Sequence, residues 1–311
     1  MTGPTTNDDR SLLGVFDSPT GPIGVYGPAA ARSLPDLTAA QAPDWPHVSL
    51  DGTHIDTIPS IDIHLSPENV VRLTASAYAA PGVDLPPDRA GRPGLVAANG
   101  LIGTLIGTFV ARDPAWICLH AAALMDAGQA EGGLVVLAGD NLAGKSTLAI
   151  ALMQQDFHLW CDDRLPVEAV DNRFEGVGLG LRPKLRLPLP AEAPRSLHDL
   201  VARHGGAREG DMVYLNVPDD SYAAYGEGEP VVRILILNRD PSCSAPALHP
   251  LSVGEAVKAL VSATFAPHLD AMTRLDRLRA MAGQAVCQRF DYPDSFTAAA
   301  WLAADLRRDM A

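Results

Sequence analysis

The residues with the clearest chemical potential form one continuous run. Its members are Gly139, Asp140, Asn141, Leu142, Ala143, Gly144, Lys145, Ser146 and Thr147. The run matches the pattern GxxxxGK followed by Ser or Thr, in which glycines let the backbone curl so that successive N–H groups surround phosphate oxygens. Lys145 would reach the β- and γ-phosphates of a nucleotide, and the Ser146 hydroxyl would bind Mg²⁺. The sequence therefore predicts a phosphate-binding loop over residues 139–147.

The segments on either side of this loop have the pattern that such a loop requires. Leu134 to Ala138 is a wholly apolar run, typical of a buried strand, and Thr147 to Gln155 has a helical pattern. A helix that follows the loop directly presents free N–H groups and the positive end of its dipole to an anion. The order strand, loop, helix favours nucleotide binding over an incidental glycine turn.

Two adjacent carboxylates follow the next predicted strand along the chain. Asp162 and Asp163 come directly after Phe157 to Cys161. At the end of a strand beside the loop strand, one carboxylate can hold Mg²⁺ while the other acts as general base toward a hydroxyl. His120 is predicted to lie inside the apolar strand Ile117 to Leu124, where a histidine is either a core residue or part of the site.

In this order and spacing, these residues resemble the catalytic core of HPr kinase/phosphorylase and its related kinases. The resemblance covers roughly residues 116–167. It implies an α/β P-loop kinase domain similar to that of phosphoenolpyruvate carboxykinase, with ATP and Mg²⁺ as cofactors and a serine hydroxyl as acceptor. By position, Asp162 would be the base, Ser146 and Asp163 would hold the metal, and Lys145 and His120 would lie at the transferred phosphoryl group.

Some positions differ from the enzymes that act on HPr. Thr147 stands where those enzymes usually carry an acidic residue, and Asn141 stands where a serine is expected. These differences point to the wider set of related kinases, which includes kinases encoded with lasso-peptide precursors and free-serine kinases. The basic stretch Arg182 to Arg186 either supplies a cation to the transition state or is a solvated turn.

Three functions therefore stand as hypotheses. The first is a kinase for a hydroxyl of a peptide or protein, the second a kinase for a small-molecule hydroxyl, and the third a nucleotide-binding regulatory protein with little turnover. A candidate base next to an intact loop argues against the third, since a protein that only binds nucleotide needs no base. The long N-terminal segment favours a macromolecular acceptor.

Composition and charge limit the other classes of function. The chain has 311 residues, of which 47% are hydrophobic, and its 24 basic and 37 acidic residues give a net charge of −13. So acidic a chain is a poor partner for duplex nucleic acid. It has neither a signal-peptide pattern nor an apolar run of membrane-spanning length, and its four cysteines are scattered, as in a reducing cytosol. We expect a cytoplasmic protein, and the resemblance leaves a homo-oligomer open.

The chain is predicted to have two parts. Residues 1–94 read as a small β-rich module, with strand-like runs at Leu12 to Phe16, Ile23 to Tyr26, Ile61 to Leu65 and Val70 to Ala75 and a proline-rich linker over residues 81–93. Residues 95–311 read as the catalytic domain. It would open with an apolar helix, Leu95 to Ala111, and close with three helices, Glu255 to Thr264, Asp270 to Ala282 and Ser295 to Arg308.

Overall fold

A computed structural model describes residues 10–48, 58–78, 84–126 and 132–309. The chain forms two compact units, Met1–Asp113 and Pro114–Ala311. Both units combine helices with sheets, so the mixed α/β class expected from the sequence is observed.

The first unit is built on a six-stranded sheet of order β3-β1-β2-β4-β5-β6. Its strands are β1 (Ser11–Phe16), β2 (Ile23–Gly27), β3 (His47–Val48), β4 (Ser60–Leu65), β5 (Val71–Ala75) and β6 (Asp84–Leu85), and its helices are α1 (Ser33–Ala39) and α2 (Leu95–Val110). The four strand-like runs predicted in this part of the chain are confirmed. The linker predicted over residues 81–93 lies partly outside the described residues, and its described part contains β6.

Helix α2 belongs to the first unit. The sequence pattern predicts a domain boundary at residue 94, with this segment at the start of the second domain. In the structure α2 packs against α1 and β5 and buries Leu101, Leu105 and Phe109 completely. Because its apolar side chains are covered there, the boundary between the compact units follows the helix, at Asp113.

The second unit contains the remaining strands and helices. Its strands are β7 (Trp116–Leu119), β8 (Ala122–Asp126), β9 (Leu134–Ala138), β10 (Phe157–Cys161), β11 (Leu165–Val170), β12 (Arg173–Val177), β13 (Lys184–Arg186), β14 (Gly205–Glu209), β15 (Met212–Leu215), β16 (Gly228–Arg239), β17 (Ala247–Pro250), β18 (Thr264–Phe265) and β19 (Val286–Tyr292). Its helices are α3 (Lys145–Met153), α4 (Arg195–His204), α5 (Val253–Val261), α6 (Ala271–Gln284) and α7 (Ser295–Asp309).

Ten of these strands form one sheet, and three form a second. The larger sheet runs β10-β8-β9-β16-β12-β11-β7-β18, with β19 beside β16 and β17 beyond β19. Strand β16 pairs in parallel with both β9 and β19, whereas β8 is antiparallel to β9 and β10. The smaller sheet has the order β13-β15-β14.

The larger sheet is covered on both faces, which explains why β9 is apolar along its whole length. Val135 and Leu137 belong to one core cluster with residues of α3, α7 and the smaller sheet, among them Leu148, Leu302 and Val213. Leu134, Val136 and Ala138 point the other way, into a cluster with residues of α5 and α6. The loop that follows β9 is thus attached to a strand that is buried along its whole length.

The structure corrects two of the predicted segments. The predicted strand over residues 117–124 is two strands, β7 and β8, and His120 lies in the break between them and not inside a strand. The predicted helix over residues 255–264 ends at Val261, and Thr264 pairs with Leu119 in β18. Helix α3 begins at Lys145, two residues earlier than its pattern indicated, while β9 and β10 have their predicted bounds.

Two further observations concern the cysteines and the helices. All four cysteines are free thiols, and Cys118, Cys161 and Cys287 are buried. Among the described residues, none of the helices combines the length and the apolar character needed to cross a bilayer.

Candidate functional site

The topology of the larger sheet brings three separated segments to one edge. Ala122 pairs with Leu137 near the end of β9, and Ala123 pairs with Cys161 at the end of β10. Since β8 is antiparallel to both strands, its beginning lies at the edge where β9 and β10 end. His120, the loop after Ala138 and the acidic pair after Cys161 therefore lie at the same edge.

The loop is shaped by a glycine that no other residue could replace without strain. Gly144 has φ 93°, in the left-handed region, and it directly precedes the first residue of α3. A Cβ atom at this position would lie 3.0 Å from Ser295 Oγ and 3.2 Å from the Tyr292 hydroxyl, which itself donates to the Ala143 carbonyl. The N–H groups of the first turn of α3 lack intrahelical partners and face the loop, so they are suited to an anion.

Lys145 is folded over the loop. Its Nζ donates to the carbonyl oxygens of Gly139 at 2.9 Å and Asp140 at 3.0 Å, and only 7% of the residue is exposed. Burial lowers the pKa of Lys145 more than the nearby charges of Asp163 and Asp140 raise it. The ammonium group is thus held at the loop that is predicted to bind phosphate.

One hydrogen bond joins the loop to the acidic pair. The Ser146 hydroxyl donates to the backbone carbonyl of Asp162 at 3.1 Å. The predicted metal-binding hydroxyl and the predicted carboxylates are therefore neighbours in the folded chain, although 16 residues separate Ser146 from Asp162.

Asp162 is buried, and its surroundings raise the pKa of its carboxyl group above the usual value. Only 6% of the residue is exposed, and its Oδ2 accepts from the backbone N–H of Lys184 at 3.0 Å. Burial raises the pKa of Asp162 to about 6; the charge of Lys184 opposes this shift and the charge of Asp163 adds to it. A carboxylate with this pKa is ionised at neutral pH and is still basic enough to accept a proton.

Asp163 has the opposite electrostatic character. Its Oδ2 lies 2.8 Å from Lys184 Nζ and 3.8 Å from Arg164 Nε, and its Oδ1 lies 3.2 Å from His120 Nδ1. Burial alone would raise the pKa of Asp163, but the attraction of Lys184, Arg164 and His120 outweighs it and lowers the pKa to about 2. Asp163 is therefore a permanent anion.

His120 completes this cluster from the break between β7 and β8. Its backbone N–H donates to the Ala263 carbonyl at 2.7 Å, and 49% of its side chain is exposed. Burial lowers the pKa of His120; the charge of Asp163 opposes this shift, and the cations Lys145, Arg164 and Lys184 add to it. Of the two alternatives for His120, this half-exposed position next to Asp163 is unlike that of a core residue.

Sequence reasoning left Lys184 undecided and missed Tyr214 and Tyr292. Strand β13 carries Lys184 to the acidic pair, and the charges of Asp162 and Asp163 raise its pKa despite burial. Tyr214 stands opposite Lys184 in the register, and its buried hydroxyl has no hydrogen-bond partner among the described residues. No local motif marks these tyrosines, because their partners are distant in the sequence.

The oxygen donors at this edge fit a nucleotide-bound Mg²⁺. Ser146 and Asp163 supply a hydroxyl and an ionised carboxylate, which are the ligand types that Mg²⁺ prefers. The described part of the chain holds no group of three or more His, Cys, Asp or Glu side chains arranged as a metal site.

The fold and the geometry define an α/β protein in which the predicted phosphate-binding loop lies beside a buried carboxylate pair. No protein-family model matches the chain, and no curated protein matches it. Among solved structures, the HPr(Ser) kinase/phosphatase from Coxiella burnetii is similar to it, with a TM-score of 0.33 and 13% identity over 62% of this chain and 95% of that chain. A likeness this distant assigns no function, so the residues of the site have to do so.

Proposed function

We propose that the chain is an ATP-dependent kinase that transfers the γ-phosphoryl group to a serine hydroxyl of a peptide or protein, such as a ribosomal peptide precursor. The observation that carries this proposal is the hydrogen bond from Ser146 to the Asp162 main chain, because it joins the predicted phosphate-binding loop to a residue whose buried carboxyl group has a raised pKa. Phosphoryl transfer to a hydroxyl requires a loop that binds the phosphates, an anion that can hold the metal ion, and a base that accepts the hydroxyl proton.

In this mechanism the loop and the start of α3 bind the phosphates through backbone N–H groups, and Lys145 neutralises charge on the β- and γ-phosphates. Ser146 and Asp163 would hold Mg²⁺, which when bound neutralises further phosphate charge. Lys184 and His120 keep Asp163 oriented through their contacts with its two oxygens. The negative charge of the transferred phosphoryl group would thus be neutralised by the loop N–H groups, by Lys145 and by the metal ion.

Asp162 accepts the proton of the acceptor hydroxyl. As the hydroxyl oxygen forms its bond to the γ-phosphorus, the bond from that phosphorus to the bridging oxygen breaks, and ADP leaves with the electron pair. The hydroxyl proton passes to the Asp162 carboxylate, whose pKa of about 6 suits a base at neutral pH.

Intact-mass analysis tests the proposal. The full chain is incubated with Mg-ATP and with serine-containing peptides encoded near its gene, and a gain of about 80 Da identifies a phosphorylated product. We expect Lys145→Ala to lose nucleotide binding and transfer, and Asp162→Asn to keep binding and lose transfer. Asp171→Asn, in the exposed β11–β12 turn, is the matched control and should behave as wild type.

Two outcomes would contradict the proposal. Near-normal transfer by Asp162→Asn would remove Asp162 from the role of base. ATP binding without transfer to any peptide would favour the two other hypotheses, a small-molecule acceptor or a regulatory nucleotide site.

A further inference from the structure

Strand β13 and the residues before it carry three cations on one face. Lys184 stands opposite Tyr214 and Arg186 opposite Met212 in the β13–β15 register. The Leu215 N–H donates to the Pro183 carbonyl, which extends the pairing toward Arg182, and the Arg182 side chain donates to the Asn216 side chain. Leu185, on the other face, is buried in the core. Alternation along an extended strand therefore puts Arg182, Lys184 and Arg186 in one row.

The middle cation of this row touches the candidate site. Lys184 Nζ lies 2.8 Å from Asp163, and the Lys184 N–H donates to Asp162. Residues two apart on a strand are about 7 Å apart, so Arg182 and Arg186 lie about 7 Å to either side of Lys184. The acceptor hydroxyl, which must meet Asp162, would lie near the centre of the row.

The row is unusual in a chain with a net charge of −13. Arg186 is exposed and Arg182 half-buried, so both are accessible along this face. Among the described residues, β13 is the terminal strand of its sheet, with a partner strand on one side. Glu209, the acidic residue opposite Met212, lies on β14, the strand farthest from β13. Lys184 is paired with Asp163, so the charge that a ligand would meet is that of Arg182 and Arg186, and two such cations attract an acidic ligand.

We propose that Arg182 and Arg186 recognise the acceptor, and that the acceptor is an extended acidic peptide with carboxylates two residues before and two residues after the phosphorylated serine. This inference rests on the proposed function and specifies its substrate. In an extended peptide the side chains at these positions share one face and lie about 7 Å from the central one, which matches the spacing of the row. Arginine suits this role because its planar guanidinium binds carboxylates with two hydrogen bonds.

Peptide binding is measured first, by fluorescence anisotropy, with three labelled serine peptides and the full-length chain. One peptide has Glu two residues to either side of the serine, the second has Glu one residue to either side, and the third has Lys in place of Glu at the outer positions. We expect the first peptide to bind about 10-fold more tightly than the second. The ratio of affinities between the first and the third peptide should be larger than this.

Charge reversal identifies the residues. Arg186→Glu should weaken binding of the first peptide about 10-fold, without changing the affinity for ATP, and a peptide with Lys at one outer position should recover the loss. Arg182→Gln should weaken the first peptide in the same direction. Arg308→Glu is the matched control because it makes the same change of charge at an exposed residue at the end of α7, next to Arg307, which contacts Asp126 at the end of β8 remote from the site.

Different results would overturn this inference and the proposed function. Equal binding of the three peptides, or equal loss in Arg186→Glu and Arg308→Glu, would overturn the recognition row even if peptides are phosphorylated. Arg186-dependent binding of the acidic peptide without any phosphoryl transfer would support the row and overturn the kinase.

Discussion

At the scale of single residues, the site shows how far neighbouring side chains of one type can diverge. Asp162 and Asp163 are adjacent, yet burial raises the pKa of the first to about 6 while cations lower that of the second to about 2. The difference comes from Lys184, Arg164 and His120 around Asp163, and Lys184 and His120 reach it from distant parts of the sequence. It supports the assignment of Asp162 as base and Asp163 as permanent anion.

The opposite pKa shifts of Asp162 and Asp163 predict opposite contributions of these two residues to the free energy of unfolding. The lowered pKa of Asp163 stabilises the folded state above the unfolded pKa of about 4, and this contribution is lost as the pH falls toward 2. The raised pKa of Asp162 destabilises the folded state increasingly as the pH rises from about 4 to above 6. In urea unfolding at pH 7, we expect Asp163→Asn to lower the free energy of unfolding by about 2 kcal/mol and Asp162→Asn to leave it unchanged or raise it.

Repeating the unfolding at pH 5 provides the check on this cause. The effect of Asp163→Asn should be the same at both pH values, since Asp163 is ionised at both. Any gain from Asp162→Asn should shrink at pH 5, where the buried carboxyl is protonated. Equal and pH-independent losses in both variants would show that the two carboxyls do not differ as described.

Nucleotide binding can be tested at Lys145. The chain has only two other lysines, Lys184 and Lys258, and Lys258 serves as the control. Lys145→Met removes the ammonium that sits on the loop, and a charged hydrogen bond of this kind is worth enough to weaken ATP binding by on the order of 100-fold. Isothermal titration calorimetry measures this change in ATP affinity. Lys258→Met, on the exposed face of α5, should bind ATP like wild type, and an equal loss there would refute the assignment.

At the scale of elements, the turn between β9 and α3 depends on Gly144. A side chain there would combine a left-handed backbone with close contacts to Ser295 and Tyr292, so Gly144→Ala must shift the loop or the β19–α7 corner. We expect ATP affinity to fall at least 10-fold and the free energy of unfolding to fall by about 1–3 kcal/mol.

A second glycine provides the control for this prediction. Gly283 lies within α6 with open space around its Cβ position, so Gly283→Ala should bind ATP normally and gain roughly 0.5–1 kcal/mol of stability. The comparison fails if both variants bind ATP equally well.

The elements also show what the sequence could predict. Local patterns predicted β9, the loop and α3, because an apolar run, glycines and a helical period are all contained within about 20 residues. They missed β13 and β15, which are three and four residues long and lack apolar alternation strong enough to be recognised. They also merged β7 and β8, because the break at His120 depends on pairing with β11, β18 and β10 and not on a local turn signal.

At the scale of the whole molecule, the candidate site belongs to one of the two compact units. The loop, His120, the acidic pair, Lys184 and Tyr214 all lie in Pro114–Ala311. The start of this unit is held by bonds within it, since the Ala115 carbonyl accepts from the Ala169 N–H and from Arg277 Nη1. The larger sheet has its own cores on both faces.

Separate expression of residues 114–311 tests whether this unit is sufficient for nucleotide binding. We expect the fragment to unfold cooperatively in urea and to bind Mg-ATP within about threefold of the full chain, since each assigned contact is retained and a threefold change is under 1 kcal/mol. Fragment Lys145→Met is the control and should lose binding. A fragment that folds but binds ATP at least 10-fold more weakly would show that Met1–Asp113 contributes to the nucleotide site, and a fragment without cooperative unfolding would show that the second unit depends on the first for stability.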